Sequence, residues 1–219
     1  GEGLRVAHVG EVGEEPEGID ELLSRFAPAL HAEDHHAAVA LRKEALRDLV
    51  RGVATGWMEF FESFAPGYAP DAVFVPIGLG SGVCACAAAR AHVGAATRII
   101  GVVSAHALAY QRSFREGRAI EAPVTTVLAD GLACRVPDEA ALEIIRREVD
   151  DVIAVTDAQI ADAMRAMFAD THNVAEGAGA AALAGLMSQR ERWQGRRVGV
   201  SLSGGNVDSA LFARVLAGD

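Results

Sequence analysis

Four short apolar segments, separated by helical patterns of about a dozen residues, constrain the fold of this chain more than any other feature. Strands that alternate with helices in this way are typical of a sheet whose neighbouring strands run parallel. The sequence therefore predicts an α/β fold, with an open, mostly parallel sheet and helices on both faces. The predicted strands are Ala72–Pro76, Arg98–Val103, Asp151–Val155 and Arg197–Leu202.

Apolar residues at helical spacing predict the helices that flank these strands. Thr156 has the residue type and position of a helix N-cap, and Pro66 and Gly67 follow the end of the first helix. The predicted helices are Leu46–Phe64, Val83–Val93, Ala105–Glu116, Glu139–Val149, Asp157–Asp170, Ala175–Gln189 and Val207–Ala217.

Residues 1–45 differ in pattern from the rest of the chain. Acidic residues lie among glycines and Pro16, and apolar residues then recur at helical spacing between Ile19 and Leu30. We expect residues 1–45 to be an unassigned N-terminal region, either a remnant of a small domain or a divergent extension, and residues 46–219 to form a larger domain. The first residue is Gly1 and not Met, which favours a processed, truncated or partial chain.

Charge and cysteine content exclude several classes of protein. The 219 residues have 20 Lys and Arg against 30 Asp and Glu, and the formal net charge is −10. A nucleic-acid-binding protein normally has a basic stripe, and this chain has none, so we expect neither nucleic acid nor a membrane as a partner. Three cysteines, Cys84, Cys86 and Cys134, cannot close a disulfide framework, which favours a cytoplasmic protein.

The segment Val75–Gly82 (VPIGLGSG) has the pattern of an anion-binding turn. A buried strand leads into a glycine-rich turn, and the turn opens a helix. Glycines let backbone N–H groups converge on a phosphate, the helix N-terminus adds a partial positive charge, and Ser81 adds a hydroxyl. The segment matches neither dinucleotide-binding nor P-loop motifs. An ordinary tight turn between a strand and a helix is the alternative.

Two further motifs are expected near the same edge of the sheet. Leu202–Asn206 (LSGGN) follows the last strand, and ligands of open α/β sheets bind beyond the carboxyl ends of strands. Ser203 is therefore a candidate binding residue, with a helix N-cap as the alternative. Glu176 precedes a helix of small apolar residues. It is either a first-turn acid that favours the helix dipole or a carboxylate directed into the cleft.

These three motifs, in this order, resemble the serine/threonine dehydratase family of pyridoxal-phosphate enzymes, which has the tryptophan synthase beta-like fold. The resemblance covers about Asp48–Gly218 and includes VRGVATGWMEFF, TTVLADGLAC and VSLSGGNVD. It implies pyridoxal 5'-phosphate as the cofactor and 46–219 as a cofactor-binding large-domain portion. It also implies that the cofactor phosphate contacts the glycine turn, the pyridine nitrogen contacts Ser203, and the ring lies beside Glu176. The implied cofactor-binding residues are Gly78, Leu79, Gly80, Ser81, Gly82, Glu176, Ser203 and Gly204.

The resemblance implies an ammonia-lyase that converts L-threonine or L-serine into a 2-oxo acid and ammonia, and a homodimer. One departure affects this activity. The family's S-x-K-x-R-G segment, which carries the catalytic lysine, is missing, and the only lysine is Lys43, in a helical context that predicts a solvated face. We therefore expect no catalytic residue and no activity from this isolated chain. The missing segment has two possible explanations: the chain is a truncated enzyme, or it is a non-catalytic cofactor-binding relative. A nucleotide-binding doubly wound domain is a further alternative. Such a domain would have an acidic residue at the end of the second strand, where this chain has Val103.

No metal site is expected. Some family members bind a divalent cation after the second strand, and the matching positions here are Val103 and Ala109, which offer no side-chain oxygen. His31 and His35 have helical spacing but no evident third ligand. Cys84 and Cys86 are expected to pack in the interior.

Overall fold

The computed structural model describes residues 37–218, with side chains from residue 48 onwards. The four strands are β1 (Ala72–Pro76), β2 (Arg98–Ser104), β3 (Asp151–Val155) and β4 (Val198–Val200). A 3₁₀ turn spans Asp130–Leu132. The α-helices in this part of the chain are α1 (Ala37–Glu62), α2 (Ser81–His92), α3 (Ala109–Glu116), α4 (Glu139–Glu148), α5 (Asp157–Thr171), α6 (Gly177–Ser188) and α7 (Ser209–Ala217).

The four strands form one parallel sheet in the order β3-β2-β1-β4. Val75 pairs with Gly101 of β2, and Phe74 pairs with Val200 of β4. The carboxyl ends of β1 and β4 are therefore neighbours. Because β1 and β2 lie inside the sheet, both of their faces are buried, which agrees with their nearly continuous apolar sequences.

Helices cover both faces of the sheet, as the sequence predicts. Val73 and Val75 pack into one apolar core with residues of α1, α2 and α4. Ala72 and Phe74 point to the opposite face and pack with residues of α5, α6 and α7. This alternation follows from the two-residue period of a strand.

Several predicted boundaries are wrong by two to nine residues. The first helix begins at Ala37, not Leu46. Helix α3 begins at Ala109 because the Ala105 N–H still bonds to the Val155 carbonyl of the sheet. Strand β4 is shorter than predicted, since the Arg197 N–H bonds to the Asp71 carboxylate instead of a strand partner. Helix α7 begins at Ser209 because the Asp208 side chain caps it.

Some predictions fall outside the described residues. These are the arrangement of residues 1–36 and the placement of His31 and His35. Lys43 lies in helix α1, but its side chain is not among those described. Helix α1 crosses the predicted boundary between residues 45 and 46 without a break. No helix in the described part of the chain is long and apolar enough to span a membrane.

All three cysteines are free and buried, and the prediction that Cys84 and Cys86 pack in the interior is confirmed. Burial raises the pKa of the Cys84 thiol from 9.0 to about 12, and it raises that of Cys86 further. As the pH rises, these thiols lose their protons at a lower pH in the unfolded chain than in the folded chain. Their ionisation should therefore not affect the free energy of unfolding below pH 9. This free energy should then fall as the pH rises from 9 towards 12, by up to about 1.4 kcal/mol per pH unit for each thiol.

Urea unfolding measured at several pH values tests this expectation. The Cys86→Ala variant should show a shallower decline above pH 9 than the unaltered chain, because one of the two buried thiols is gone. Equal slopes in both proteins would contradict the assignment to the thiols.

Candidate functional site

The glycine turn Gly78–Gly82 connects β1 to α2 at the carboxyl edge of the sheet. Gly80 is the N-cap of α2 and has φ 101°, a left-handed conformation that favours glycine. A side chain at Gly80 would also have no room, because a Cβ there would lie 2.8 Å from the Ala141 Cβ and 3.2 Å from the Tyr110 hydroxyl. Both the conformation and the packing therefore require glycine.

Every backbone N–H from Gly78 to Gly82 lacks a hydrogen-bond partner among the described residues. The first hydrogen bond of the helix is donated by the Cys84 N–H to the Gly80 carbonyl. Gly78, Ser81 and Gly82 are partly exposed, and Leu79 is 67% exposed. The turn thus presents free donors at the N-terminus of a twelve-residue helix, where an anion is stabilised.

The opposite side of the glycine turn is hydrogen-bonded to Tyr110 of α3. The Tyr110 hydroxyl, buried on α3, donates to the Leu79 carbonyl at 2.7 Å. The same hydroxyl accepts from the Asp138 N–H at 3.1 Å, and Asp138 caps α4. One face of the turn is therefore anchored to α3 and α4, while the other keeps its N–H groups free.

The segment Thr126–Leu132 brings the glycine turn and Glu176 together. A Cβ added to Gly78 would overlap the carbonyl oxygen of Gly131. A Cβ on Gly131 would in turn lie 3.9 Å from a carboxylate oxygen of Glu176. The segment is tied down by Asp157, whose carboxylate accepts from the Thr126 hydroxyl at 2.8 Å and from the Val127 N–H at 3.0 Å.

Glu176 is at the N-cap position of α6, but its side chain caps no helix N–H. Its carboxylate instead lies against the loop after β4, 2.5 Å from where a Cβ of Gly204 would be. The Glu176 N–H also donates to the Gly204 carbonyl at 3.1 Å. That the Glu176 carboxylate is directed into the cleft stays a prediction.

Ser203 is exposed and follows β4, which lies next to β1. It does not cap a helix, because α7 begins at Ser209 and Asp208 accepts from the first free N–H groups there. The N-cap alternative for Ser203 is wrong. The glycine turn, Glu176, Ser203 and Gly204 therefore all belong to the carboxyl edge shared by β1 and β4.

Sequence reasoning missed Tyr110, Gly131 and Asp157 as parts of this edge. The resemblance included TTVLADGLAC, which contains Thr126 and Gly131, and this motif was the available signal for the connecting segment. Nothing in the sequence indicated that Tyr110 meets Leu79, because 31 residues separate them.

No group of three or more His, Cys, Asp or Glu residues among the described residues could hold a metal ion. Val103 and Ala109, the positions compared with a cation site, are both buried apolar residues.

Comparison with known proteins decides the family. The model of one family, described as "Pyridoxal-phosphate dependent enzyme", matches residues 4–204. The chain belongs to this family. The match begins well upstream of Asp48, so the family relationship includes most of residues 1–45 as well. The cofactor of the family is pyridoxal phosphate, which is the one expected from the sequence.

Three relatives illustrate the relationship. An L-threonine ammonia-lyase of Geobacter sulfurreducens is 33% identical over 193 residues, which are 87% of this chain and 47% of that protein. The crystal structure of the T.th. threonine deaminase is 30% identical, with a TM-score of 0.67, over 73% of this chain and 58% of that one. Maize serine racemase is 30% identical, with a TM-score of 0.67, over 77% and 52%.

These structures have the tryptophan synthase beta-like fold predicted from the sequence, and the fold prediction is confirmed. The chain spans about half the length of the curated relatives it matches.

Proposed function

We propose that the carboxyl edge of β1 and β4 binds pyridoxal phosphate in an ammonia-lyase that acts on L-threonine or L-serine. The observation that carries this proposal is the set of unpartnered N–H groups at Gly78–Gly82, at the start of α2. These donors suit a phosphate dianion, because free N–H groups at a helix N-terminus carry partial positive charge and can donate hydrogen bonds to the phosphate oxygens.

The remaining residues of the edge fit the rest of the cofactor in part. Ser203 has an exposed hydroxyl that can donate to or accept from the pyridine nitrogen, and Gly204 leaves space beside Glu176. No residue of the edge supplies the amine that the family uses to attach the cofactor. The only lysine of the chain is Lys43, in α1.

When bound, pyridoxal phosphate supplies an electron-withdrawing ring that stabilises negative charge at the α-carbon of an amino acid. In this proposal the Gly78–Gly82 N–H groups hold the phosphate, and Ser203 orients the pyridine nitrogen. Gly131 and Gly204 keep side chains out of the space around Glu176. None of these residues is a base for the α-proton, so the chain's own contribution is binding and orientation.

The substrate class rests on the relatives. Their names refer to threonine and to serine, which are both amino acids with a hydroxyl on the β-carbon. Because the chain lacks a lysine outside α1, we propose that it binds the cofactor without turning over substrate by itself. A non-catalytic cofactor-binding relative is the second candidate, and an S-x-K-x-R-G segment in a longer form of this chain would distinguish an enzyme from it.

The proposal includes a homodimer in the cytoplasm and a cofactor-binding large-domain portion over residues 46–219, with residues 1–45 as a remnant of the small domain or a divergent extension. The three free cysteines support a reducing compartment.

Gly78→Ala tests the binding proposal. The added Cβ would overlap the Gly131 carbonyl, so the turn must shift, and we expect the affinity for pyridoxal phosphate to fall about tenfold or more. Affinity is measured by calorimetric titration, and urea unfolding checks that the variant is folded. Gly52→Ala is the matched control, because a Cβ there meets nothing within 4 Å. Unchanged affinity in a folded Gly78→Ala protein would contradict the proposal.

A further inference from the structure

Tyr110 has a role that neither the family relationship nor the sequence assigns. It is among the largest fully buried side chains, with 1% of its surface exposed, and it lies on α3, behind the glycine turn. Burial raises the pKa of its hydroxyl. The hydroxyl is therefore protonated, and able to donate, at neutral pH.

The Tyr110 hydroxyl uses its donor and an acceptor site on two different segments. It donates to the Leu79 carbonyl at 2.7 Å and accepts from the Asp138 N–H at 3.1 Å. Asp138 is itself fixed, because its carboxylate accepts from the Ala141 N–H at 2.9 Å at the start of α4. The Leu79 carbonyl is thus held by a donor whose own position is fixed.

The direction of one carbonyl determines the direction of the next N–H. In a trans peptide the carbonyl of one residue and the N–H of the next point to opposite sides, and no cis peptide occurs among the described residues. Since the Leu79 carbonyl points to Tyr110, the Gly80 N–H points away from α3 and α4. The side of Gly80 that faces Tyr110 and Ala141 is also closed, with Cβ contacts of 3.2 and 2.8 Å.

We propose that Tyr110 is a positioning residue that sets the orientation of the Leu79–Gly80 peptide and so directs the Gly80 N–H at the bound phosphate group. This inference rests on the proposed function, because it takes the glycine turn to be the phosphate site. Tyr110 acts through the turn, because its hydroxyl bonds to the Leu79 carbonyl and to the Asp138 N–H.

Tyr110→Phe removes the hydroxyl and keeps the ring that packs in the core. We expect the affinity for pyridoxal phosphate to fall about fivefold or more, since the peptide is then free to rotate. Pyridoxal, which lacks the phosphate, should bind to the variant and to the unaltered chain equally. A general loss of structure would lower the affinity for both ligands. The ratio of the affinity for pyridoxal phosphate to the affinity for pyridoxal therefore isolates the positioning role.

Thr97→Val is the matched control. The Thr97 hydroxyl is also buried and donates to a backbone carbonyl, that of Pro70, at 2.7 Å, but it lies at the amino end of β2. Its loss should lower the free energy of unfolding and leave the affinity for pyridoxal phosphate unchanged. If Tyr110→Phe binds pyridoxal phosphate as tightly as the unaltered chain, the inference is overturned and the proposed function stands. If the unaltered chain binds neither pyridoxal phosphate nor inorganic phosphate, both are overturned.

Discussion

The purified chain, mixed with pyridoxal phosphate and L-threonine, should release 2-oxobutanoate no faster than the cofactor does alone. Attachment of the cofactor needs a neutral amine, and removal of the α-proton needs a positioned base, which contributes up to about 10,000-fold to the rate. In the family one lysine serves both needs, and the chain's only lysine is Lys43, in helix α1. A solvated lysine is almost wholly protonated at neutral pH, because its pKa is about 10.4.

The control for this result is Lys43→Ala, which should bind pyridoxal phosphate with unchanged affinity and show the same background rate. Reduction with borohydride followed by mass spectrometry would reveal any covalent adduct at Lys43. Steady release of 2-oxobutanoate that disappears in Lys43→Ala would show that the chain is an active enzyme and that Lys43 is its catalytic residue.

Gly177→Ala should destabilise the folded chain by about 3 kcal/mol, although alanine is normally the better helix former. Gly177 begins α6, and a Cβ there would overlap the Leu128 carbonyl oxygen and lie 2.7 Å from the Leu128 carbonyl carbon. These are backbone atoms of the segment that also carries Gly131, and they cannot rotate away. Urea unfolding measures the loss.

The comparison with Gly52→Ala separates packing from helix propensity. Gly52 lies in α1, and a Cβ there meets nothing within 4 Å, so alanine should stabilise the chain by up to about 1 kcal/mol. The two substitutions are chemically identical and have opposite expected signs. Equal stability of Gly177→Ala and the unaltered chain would contradict the close approach of α6 to Leu128.

The fold was predictable because each strand carries its own local pattern. Strand β1 is apolar throughout Ala72–Val75, which is typical of a strand buried on both faces, and these residues do pack in separate cores on the two faces of the sheet. Thr156 also behaved as predicted, since its hydroxyl accepts from the Gln159 N–H and the Gln159 side chain accepts in return from the Thr156 N–H. Signals of this kind act within a few residues, and one sequence is enough to recognise them.

The candidate site was predictable only in part. Gly80 has a local requirement for glycine, and the turn motif reveals it. The contact of Tyr110 with Leu79 and the meeting of Gly78 with Gly131 depend on how distant segments pack, and no local pattern encodes them. Ser203 could be read as a helix cap because Asp208, the residue that does cap α7, is only five positions further along the chain.

The most direct test of the phosphate site is an amide NMR titration of the isotopically labelled chain with pyridoxal phosphate. We predict that the backbone N–H resonances of Gly78–Gly82 shift more than any others, because these groups lack partners in the described structure and would bind the phosphate. Inorganic phosphate should shift the same resonances, and pyridoxal should leave them in place. If pyridoxal phosphate shifts other residues while Gly78–Gly82 remain unchanged, or if no resonance moves at millimolar ligand, the glycine turn is not the phosphate site.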